Sequence, residues 1–146
     1  AAENNSALNK ITFFDHALDS SPDRLQQTLF HEIGHNWDNE NDGWDEFKDI
    51  SGWTWTLFDT SPGSEYSESY SSTGVSDDHW WYLTETEFSR EYGSNKPHDD
   101  FAEIFALYFC DEMNIDYDDE SGETNEETIN RVQEKHDFVE DWVSTL

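Results

Sequence analysis

Apolar residues recur with a helical period in the stretch that follows Pro22. The stripe consists of Leu25, Leu29, Ile33 and Trp37. Residues at every fourth position lie on one face of an α-helix, so the stripe indicates an amphipathic helix. Ser21 and Pro22 suit the N-cap and the first helical position. The pattern therefore predicts a helix from Pro22 to about Trp37.

Two further helices are predicted in the second half of the chain. The first begins at residue 95 or 96 and ends between residues 110 and 113. It is apolar on every face except at Glu103, which indicates that it is buried all round. Thr124 and Glu127 have the spacing of a capping box, which opens a last helix. The inner face of that helix is predicted to consist of Ile129, Val132, His136, Val139 and Val143.

Short β-prone segments predict a small aromatic sheet. The predicted strands are Lys10–Phe14, Trp53–Phe58 and Trp80–Leu83. Polar residues 1–9 are predicted to be loose. Residues 59–78 are predicted to form a long loop that joins the last two strands as a hairpin-like pair. These elements give an α+β fold class, and the lack of repeats predicts one domain over residues 1–146.

The chain is strongly acidic, with 35 acidic against 7 basic residues and a formal net charge of −28. Nucleic acid and anionic membrane surfaces are poor partners, because binding them needs clusters of Lys and Arg. No apolar run approaches the roughly 20 residues of a membrane span. The charge leaves four interpretations: adaptation to high salt, bound calcium, a cationic substrate, or simply a soluble acidic surface.

Two acidic stretches resemble calcium-binding loops in part. The first, Asp38–Asp49, is predicted to be a turn-rich loop with Asp38, Glu40, Asp42, Gly43 and Asp49 in an EF-hand-like frame. The second, Asp116–Glu127, offers Asp116, Asp118, Glu120 and Glu127, but Ser121 stands where glycine is expected. Calcium is therefore a candidate cofactor, and a solvated acidic loop is the alternative.

The first helix carries His31-Glu32-Ile33-Gly34-His35. Histidines four residues apart lie on one helix face and can bind one metal ion. A catalytic Zn²⁺ takes three protein ligands and a water. Glu32 is placed to accept a proton from that water, as in H-E-x-x-H peptidases. The alternative is a chance pair of histidines on a polar face.

A catalytic zinc needs a third ligand, and Glu103 is the leading candidate. It is the one charged position within an apolar segment, and a metal ion offsets the cost of burying a carboxylate. The alternative is a first-turn glutamate capped back on Asp100. The metzincin pattern fails, because it would need histidine where Asn41 stands. Other side chains that could replace Glu103 are Asp99, Asp100, Glu91, His79 and His98. His16 and His136 are not in a second metal-like pair.

Four segments in order resemble bacterial zincin-like metallopeptidases, gluzincins related to the catalytic domain of anthrax lethal factor. They are H-E-I-G-H-N-W-D, S-G-W-T-W, W-W-Y and S-R-E-Y-G-S-N-K-P-H-D-D-F-A-E-I-F-A. The similarity extends over roughly residues 11–110. It implies a zincin-like fold, Glu103 as the third zinc ligand and Tyr92 as a donor to the oxyanion. Only Lys10–Phe14 precedes the metal helix as a predicted strand, so either an upstream segment is missing or the sheet is reduced.

The expected function is a zinc-dependent metalloendopeptidase, with Zn²⁺ on His31, His35 and Glu103, and with Glu32 and Tyr92 as catalytic residues. Its expected partner is a peptide or protein substrate, and the chain is expected to be a monomer. We expect a secreted or cell-surface location, and the start at Ala1 suggests processing or a cut from a longer protein. The alternatives are a zinc- or calcium-binding module that does not cleave, and a tyrosine at position 92 that only packs in the core.

Overall fold

The computed structural model describes residues 2–5, 10–15, 19–40, 44–57, 62, 70–73 and 79–145. The helices are α1 (Pro22–Glu40), α2 (Trp44–Ser51), α3 (Pro97–Glu112), α4 (Asn125–Arg131) and α5 (Gln133–Ser144), with a 3₁₀ turn at Glu91–Asn95. The strands are β1 (Ala2–Asn5), β2 (Lys10–Phe13), β3 (Thr54–Trp55), β4 (Tyr70–Ser72) and β5 (Trp80–Leu83). This mixture of helices and small sheets is compatible with the α+β class. Within the described residues, no helix is long and apolar enough to cross a membrane.

Helices α1 and α3 pack against each other at the centre of the fold. Gly34 explains their close approach, because a Cβ at this position would lie 3.0 Å from Cα of Ala102 and 3.2 Å from Cβ of Phe105. Such a distance from a backbone atom is too short for a side chain to fit without a shift of α3. The glycine in the middle of α1 thus allows the histidine-bearing helix to lie directly on the first half of α3.

The core is built around α3, as its continuous apolar sequence predicted. Its buried residues include Phe101, Ile104, Phe105, Leu107 and Cys110, with Val132 and Val139 from the C-terminal region. The predicted last helix is divided in two, because Val132 leaves the helical conformation between α4 and α5. The predicted inner stripe nevertheless faces the core. Thr124 and Glu127 form the predicted capping box at the start of α4.

The strands form two separate antiparallel sheets, and the predicted antiparallel pairing of the Trp53 and Trp80 segments is confirmed by β3 and β5. β1 pairs with β2, with Ala2 opposite Phe13, so the prediction that residues 1–9 are loose was wrong for residues 2–5. β5 lies between β3 and β4 in the second sheet. β3 is shorter than predicted, and β4 lies inside the segment predicted to be a loop. Most of residues 59–78 fall outside the described residues.

The first acidic stretch is mostly helical, so its prediction as a turn-rich loop was wrong. α1 continues to Glu40 and α2 begins at Trp44, while residues 41–43 lie outside the described residues. An EF-hand-like frame needs one continuous loop of 12 residues, which two helices interrupt. The second stretch is a loop up to Thr124, where the Asp119 carboxylate accepts backbone hydrogen bonds from Ser121, Gly122 and Glu123.

Candidate metal centre

The two histidines of α1 point their ring nitrogens at the same small space. Nε2 of His31 lies 3.0 Å from Nε2 of His35, and the two rings meet edge to face. Their side chains are only 12% and 21% exposed. Two neutral imidazoles in this arrangement offer two nitrogen lone pairs to one cation.

Asp99 completes a three-residue donor set from the first turn of α3. Its Oδ1 lies 3.5 Å from Nε2 of His35, and its side chain is 5% exposed. One ligand atom from each of His31, His35 and Asp99 falls within 4.8 Å of the others. Two imidazole nitrogens and one carboxylate oxygen are the ligand types of catalytic zinc sites, so the residues fit such an ion.

Glu103 is buried as predicted, but it lies on the other side of the His31 ring. Its Oε1 is 3.1 Å from Nδ1 of His31, which is the nitrogen opposite Nε2. Arg90 contacts the same oxygen at 3.4 Å, and the Tyr117 hydroxyl donates a hydrogen bond to Oε2 at 2.7 Å. Among the described residues, the donor set around the two Nε2 atoms is completed by Asp99 and does not include Glu103.

Tyr117 is a functional candidate that the sequence did not reveal. It is 3% exposed, and its hydroxyl is also 3.1 Å from Oγ of Ser89. Its backbone N–H donates to Oδ1 of Asn125, which begins α4. The second acidic loop therefore holds a buried phenol against Glu103, which in turn faces His31.

Burial and neighbouring charges shift the pKa values of the two histidines in opposite directions. Burial, followed by the positive charge of His31, lowers the pKa of His35 to about 3, which keeps its imidazole neutral. Burial also opposes protonation of His31, but the adjacent Glu103 carboxylate outweighs it and raises the pKa of His31. Burial raises the pKa of Asp99 to about 6. A cation among these groups would favour the ionised carboxylate and the neutral rings.

A cleft of about 340 Å³ opens beside the donor set and is lined by His31, Glu32, Arg90, Tyr92 and Glu103, among others. Glu32 is 7% exposed, so its carboxylate is largely shielded from bulk water. Tyr92 is 46% exposed in the 3₁₀ turn, and its ring centroid lies 5.6 Å from that of His31. Burial, then the charge of Asp99, raises the pKa of Tyr92, so the phenol keeps its proton.

The other described histidines are not members of the three-residue donor set. The His79 ring packs edge to face against Trp55, and His136 lies on α5. His98 follows Pro97 in the first turn of α3 and contributes to lowering the pKa of His35. His16 is outside the described residues. Of the three described ones, His79, His98 and His136, none belongs to the set formed by His31, His35 and Asp99.

The sequence contained a feature that points to Asp99 as a candidate ligand. It precedes Glu103 by four residues, so the two carboxylates share a helix face. The apolar segment directed attention to Glu103 because its burial could be foreseen. Which carboxylate meets which side of the His31 ring depends on how α3 is set against α1, and the pattern of residues does not contain that information.

A family model described as "Putative zinc-binding metallo-peptidase" matches residues 3–146. The match covers the donor set, the cleft and the C-terminal helices. No curated protein and no solved structure matches the chain.

Proposed function

The chain belongs to this family of zinc-binding metallo-peptidases, and from that membership we propose that it is a zinc-dependent metalloendopeptidase acting on peptides or proteins. The observation that carries the proposal is the convergence of His31, His35 and Asp99 in one donor set, of which His31 also lines a cleft together with Glu32. Such a site combines three ligands of the types that zinc prefers with a nearby carboxylate, Glu32, that is not one of the three ligands.

We propose that His31 and His35 bind zinc through Nε2 and that Asp99 is the third ligand. Glu103, the candidate from the sequence, is the alternative. Asp99 is favoured because Glu103 faces Nδ1 of His31 and already has Arg90 and Tyr117 as partners. Gluzincins use a glutamate as the third ligand, so this assignment would place the protein outside that class while keeping a zincin-like scaffold.

In this proposal Glu103 positions His31. Metal-binding histidines commonly present their other ring nitrogen to a carboxylate, which fixes the ring orientation and makes the ligand more basic. Nδ1 of His31 is buried, and among the described residues it has no partner with full hydrogen-bond geometry. The carboxylate at 3.1 Å is its nearest ionic neighbour. A small adjustment of the ring would convert that contact into a hydrogen bond.

Bound zinc would supply Lewis acidity, polarising the scissile carbonyl and making a water more acidic. Glu32 would accept the proton of the attacking water and then donate it to the leaving amine. Tyr92 would donate a hydrogen bond from its phenol to the carbonyl oxygen as negative charge develops there. The partial burial of the cleft strengthens both interactions, because fewer water dipoles compete with them.

Paired variants separate the two candidate ligands. Asp99→Asn should lower zinc affinity by more than about 100-fold, whereas Glu103→Gln should lower it by roughly 10- to 100-fold, as for residues that orient a ligand. Zinc affinity is measured by competition with a chromogenic chelator, and peptide hydrolysis is followed in parallel. Asp111→Asn, an exposed carboxylate on the same helix, is the matched control.

A larger loss in Glu103→Gln than in Asp99→Asn would give the ligand role to Glu103. A wild-type protein that binds no zinc, or that binds zinc without cleaving any peptide in a diverse library, would contradict the proposed function as a whole.

A further inference from the structure

A buried histidine on α5 has no part in the centre described above. His136 is 7% exposed, and neither Nδ1 nor Nε2 has a hydrogen-bond partner among the described residues. A neutral imidazole carries one donor and one acceptor, and neither is satisfied by the part of the chain that the structure describes. Burying an unpaired polar group costs free energy unless a ligand satisfies it. The burial of His136 without a hydrogen-bond partner among the described residues is therefore unfavourable unless a ligand binds there.

Two carboxylates stand next to this imidazole. Glu140 follows His136 by four residues, which puts both on one face of α5. Asp137 lies beside them and accepts a hydrogen bond from Gln133 at 2.6 Å. A nitrogen of His136 and one oxygen each of Asp137 and Glu140 lie within 4.8 Å of one another. The imidazole is buried and the carboxylates are exposed, so an ion could reach the set from solvent.

Helix α3 packs against the His136 imidazole. The Tyr108 ring lies 5.7 Å from the His136 ring. Burial and then the charges of Glu112 and Glu140 raise the pKa of Tyr108. His136 therefore lies where α5 packs against α3, and the two exposed carboxylates lie at the solvent side of the same imidazole.

We propose that His136, Asp137 and Glu140 form a second metal site, which binds a divalent transition-metal cation such as Zn²⁺. One imidazole nitrogen with two carboxylate oxygens suits Zn²⁺, Co²⁺ or Ni²⁺, whereas Ca²⁺ prefers a shell of oxygen ligands. The site shares no residue with the set of His31, His35 and Asp99. An ion here would satisfy the buried imidazole and hold the carboxylates together, which would stabilise the C-terminal helix against α3.

Metal stoichiometry tests the second site in the full chain. The protein is stripped with a chelator and titrated with Zn²⁺, and bound metal is counted by atomic absorption. We expect two equivalents in the wild type and one in His136→Gln. A His31→Gln/His35→Gln double variant should also keep one equivalent, and that remaining equivalent should raise its melting temperature.

Glu140→Gln changes an exposed side chain and should leave folding intact even if His136→Gln does not fold. It should weaken the second equivalent by more than about tenfold, whereas Glu134→Gln, the same change elsewhere on α5, should not. The second site is refuted if Glu140→Gln and Glu134→Gln bind Zn²⁺ alike, or if the His31→Gln/His35→Gln variant binds none. Loss of an equivalent only in the His136 and Glu140 variants, with none lost in the double variant, would support this site and contradict the proposed catalytic one.

Discussion

Asp99 and Glu103 are four residues apart on α3, and they lie in different surroundings. Asp99 lies in the first turn of the helix, where its carboxylate reaches the Nε2 side of the histidine pair. Glu103 lies one turn deeper, where Tyr117 and Arg90 hold its oxygens. One carboxylate is thus available to a cation, while the other is occupied by protein groups. Two carboxylates of similar chemistry thus differ in the groups that contact them.

Glu32→Gln tests the proposed general base. The substitution keeps the size and polarity of the side chain but removes its ability to take a proton, so peptide hydrolysis should fall by roughly 10³-fold or more. Zinc content and melting temperature should stay at wild-type values, because Glu32 is not a proposed ligand. Hydrolysis near the wild-type rate would contradict the mechanism.

Tyr92→Phe tests the proposed oxyanion donor. The hydrogen bond would form only as charge develops on the carbonyl oxygen, so kcat should fall by about 10- to 1,000-fold with little change in KM. Zinc affinity, measured separately, should not change. His79→Gln and His98→Gln serve as comparisons, and a larger fall of kcat in either one would transfer the role to that histidine.

At the scale of elements, three segments position the side chains of the centre: α1, α3 and the second acidic loop. α1 presents the histidines, and Gly34 lets α3 approach closely enough to bring its carboxylates to them. The second acidic loop then reaches back from α4 to place Tyr117 against Glu103. That loop is itself shaped by Asp119, whose side chain accepts hydrogen bonds from three backbone N–H groups and from the Ser121 hydroxyl.

Asp119→Asn should destabilise this loop in a pH-dependent way. Burial alone would raise the pKa of Asp119, but the hydrogen bonds from Ser121, Gly122 and Glu123 lower it below its ordinary value of 3.8. The stabilisation is therefore complete above pH 3.8 and is lost as the pH falls through the lower folded-state pKa. The variant should lose roughly 1–2 kcal/mol at pH 7.

Urea denaturation at several pH values measures this effect. The gap in stability between wild type and Asp119→Asn should narrow below pH 3.8, as the wild-type carboxyl takes up its proton. Asp116→Asn, an exposed aspartate of the same loop, should show no such gap. A gap that stays constant from pH 7 to pH 3 would indicate that the charge of Asp119 is not what stabilises the loop.

On the scale of the whole molecule, a few cations sit within a large excess of carboxylates. Lys135 is 4% exposed and contacts both oxygens of Asp100 at 2.9 Å, and Arg131 pairs with Glu123 at 2.7 Å. Arg90 joins Glu103 to Glu120. These cations link separate elements inside the fold, and with 7 basic against 35 acidic residues most carboxylates cannot have a Lys or Arg partner of their own.

Salt should therefore stabilise the protein. Repulsion among like charges opposes the compact state and is screened as ionic strength rises, since the Debye length falls from about 10 Å at 0.1 M to about 3 Å at 1 M. The melting temperature should increase between low and molar NaCl. A melting temperature that stays constant or falls with NaCl would contradict the interpretation that the acidic surface is an adaptation to high salt. A rise with millimolar Ca²⁺, but not with Na⁺ at the same ionic strength, would indicate calcium binding instead.

The sequence alone determined the main helices and the buried character of the central one. The period of Leu25, Leu29, Ile33 and Trp37 located α1, and the unbroken apolar run located α3 and foretold the burial of Glu103. The capping box located the start of α4. These features are local, because helical period, caps and continuous apolarity are written in neighbouring residues. The proximity of His31 and His35 followed from their separation of four residues on one helix.

Only the tertiary structure decided which residues meet across elements. The strand at residues 2–5 has a polar sequence and owes its conformation to pairing with β2. Residues 44–51, acidic and turn-like in sequence, form a helix whose Phe47 is buried in the core. The orientation of α3 on α1 gave Asp99 the Nε2 side of the histidines and left Glu103 on the Nδ1 side, with Tyr117 behind it. Contacts between residues distant in the chain depend on packing, because local patterns do not encode the relative placement of two helices.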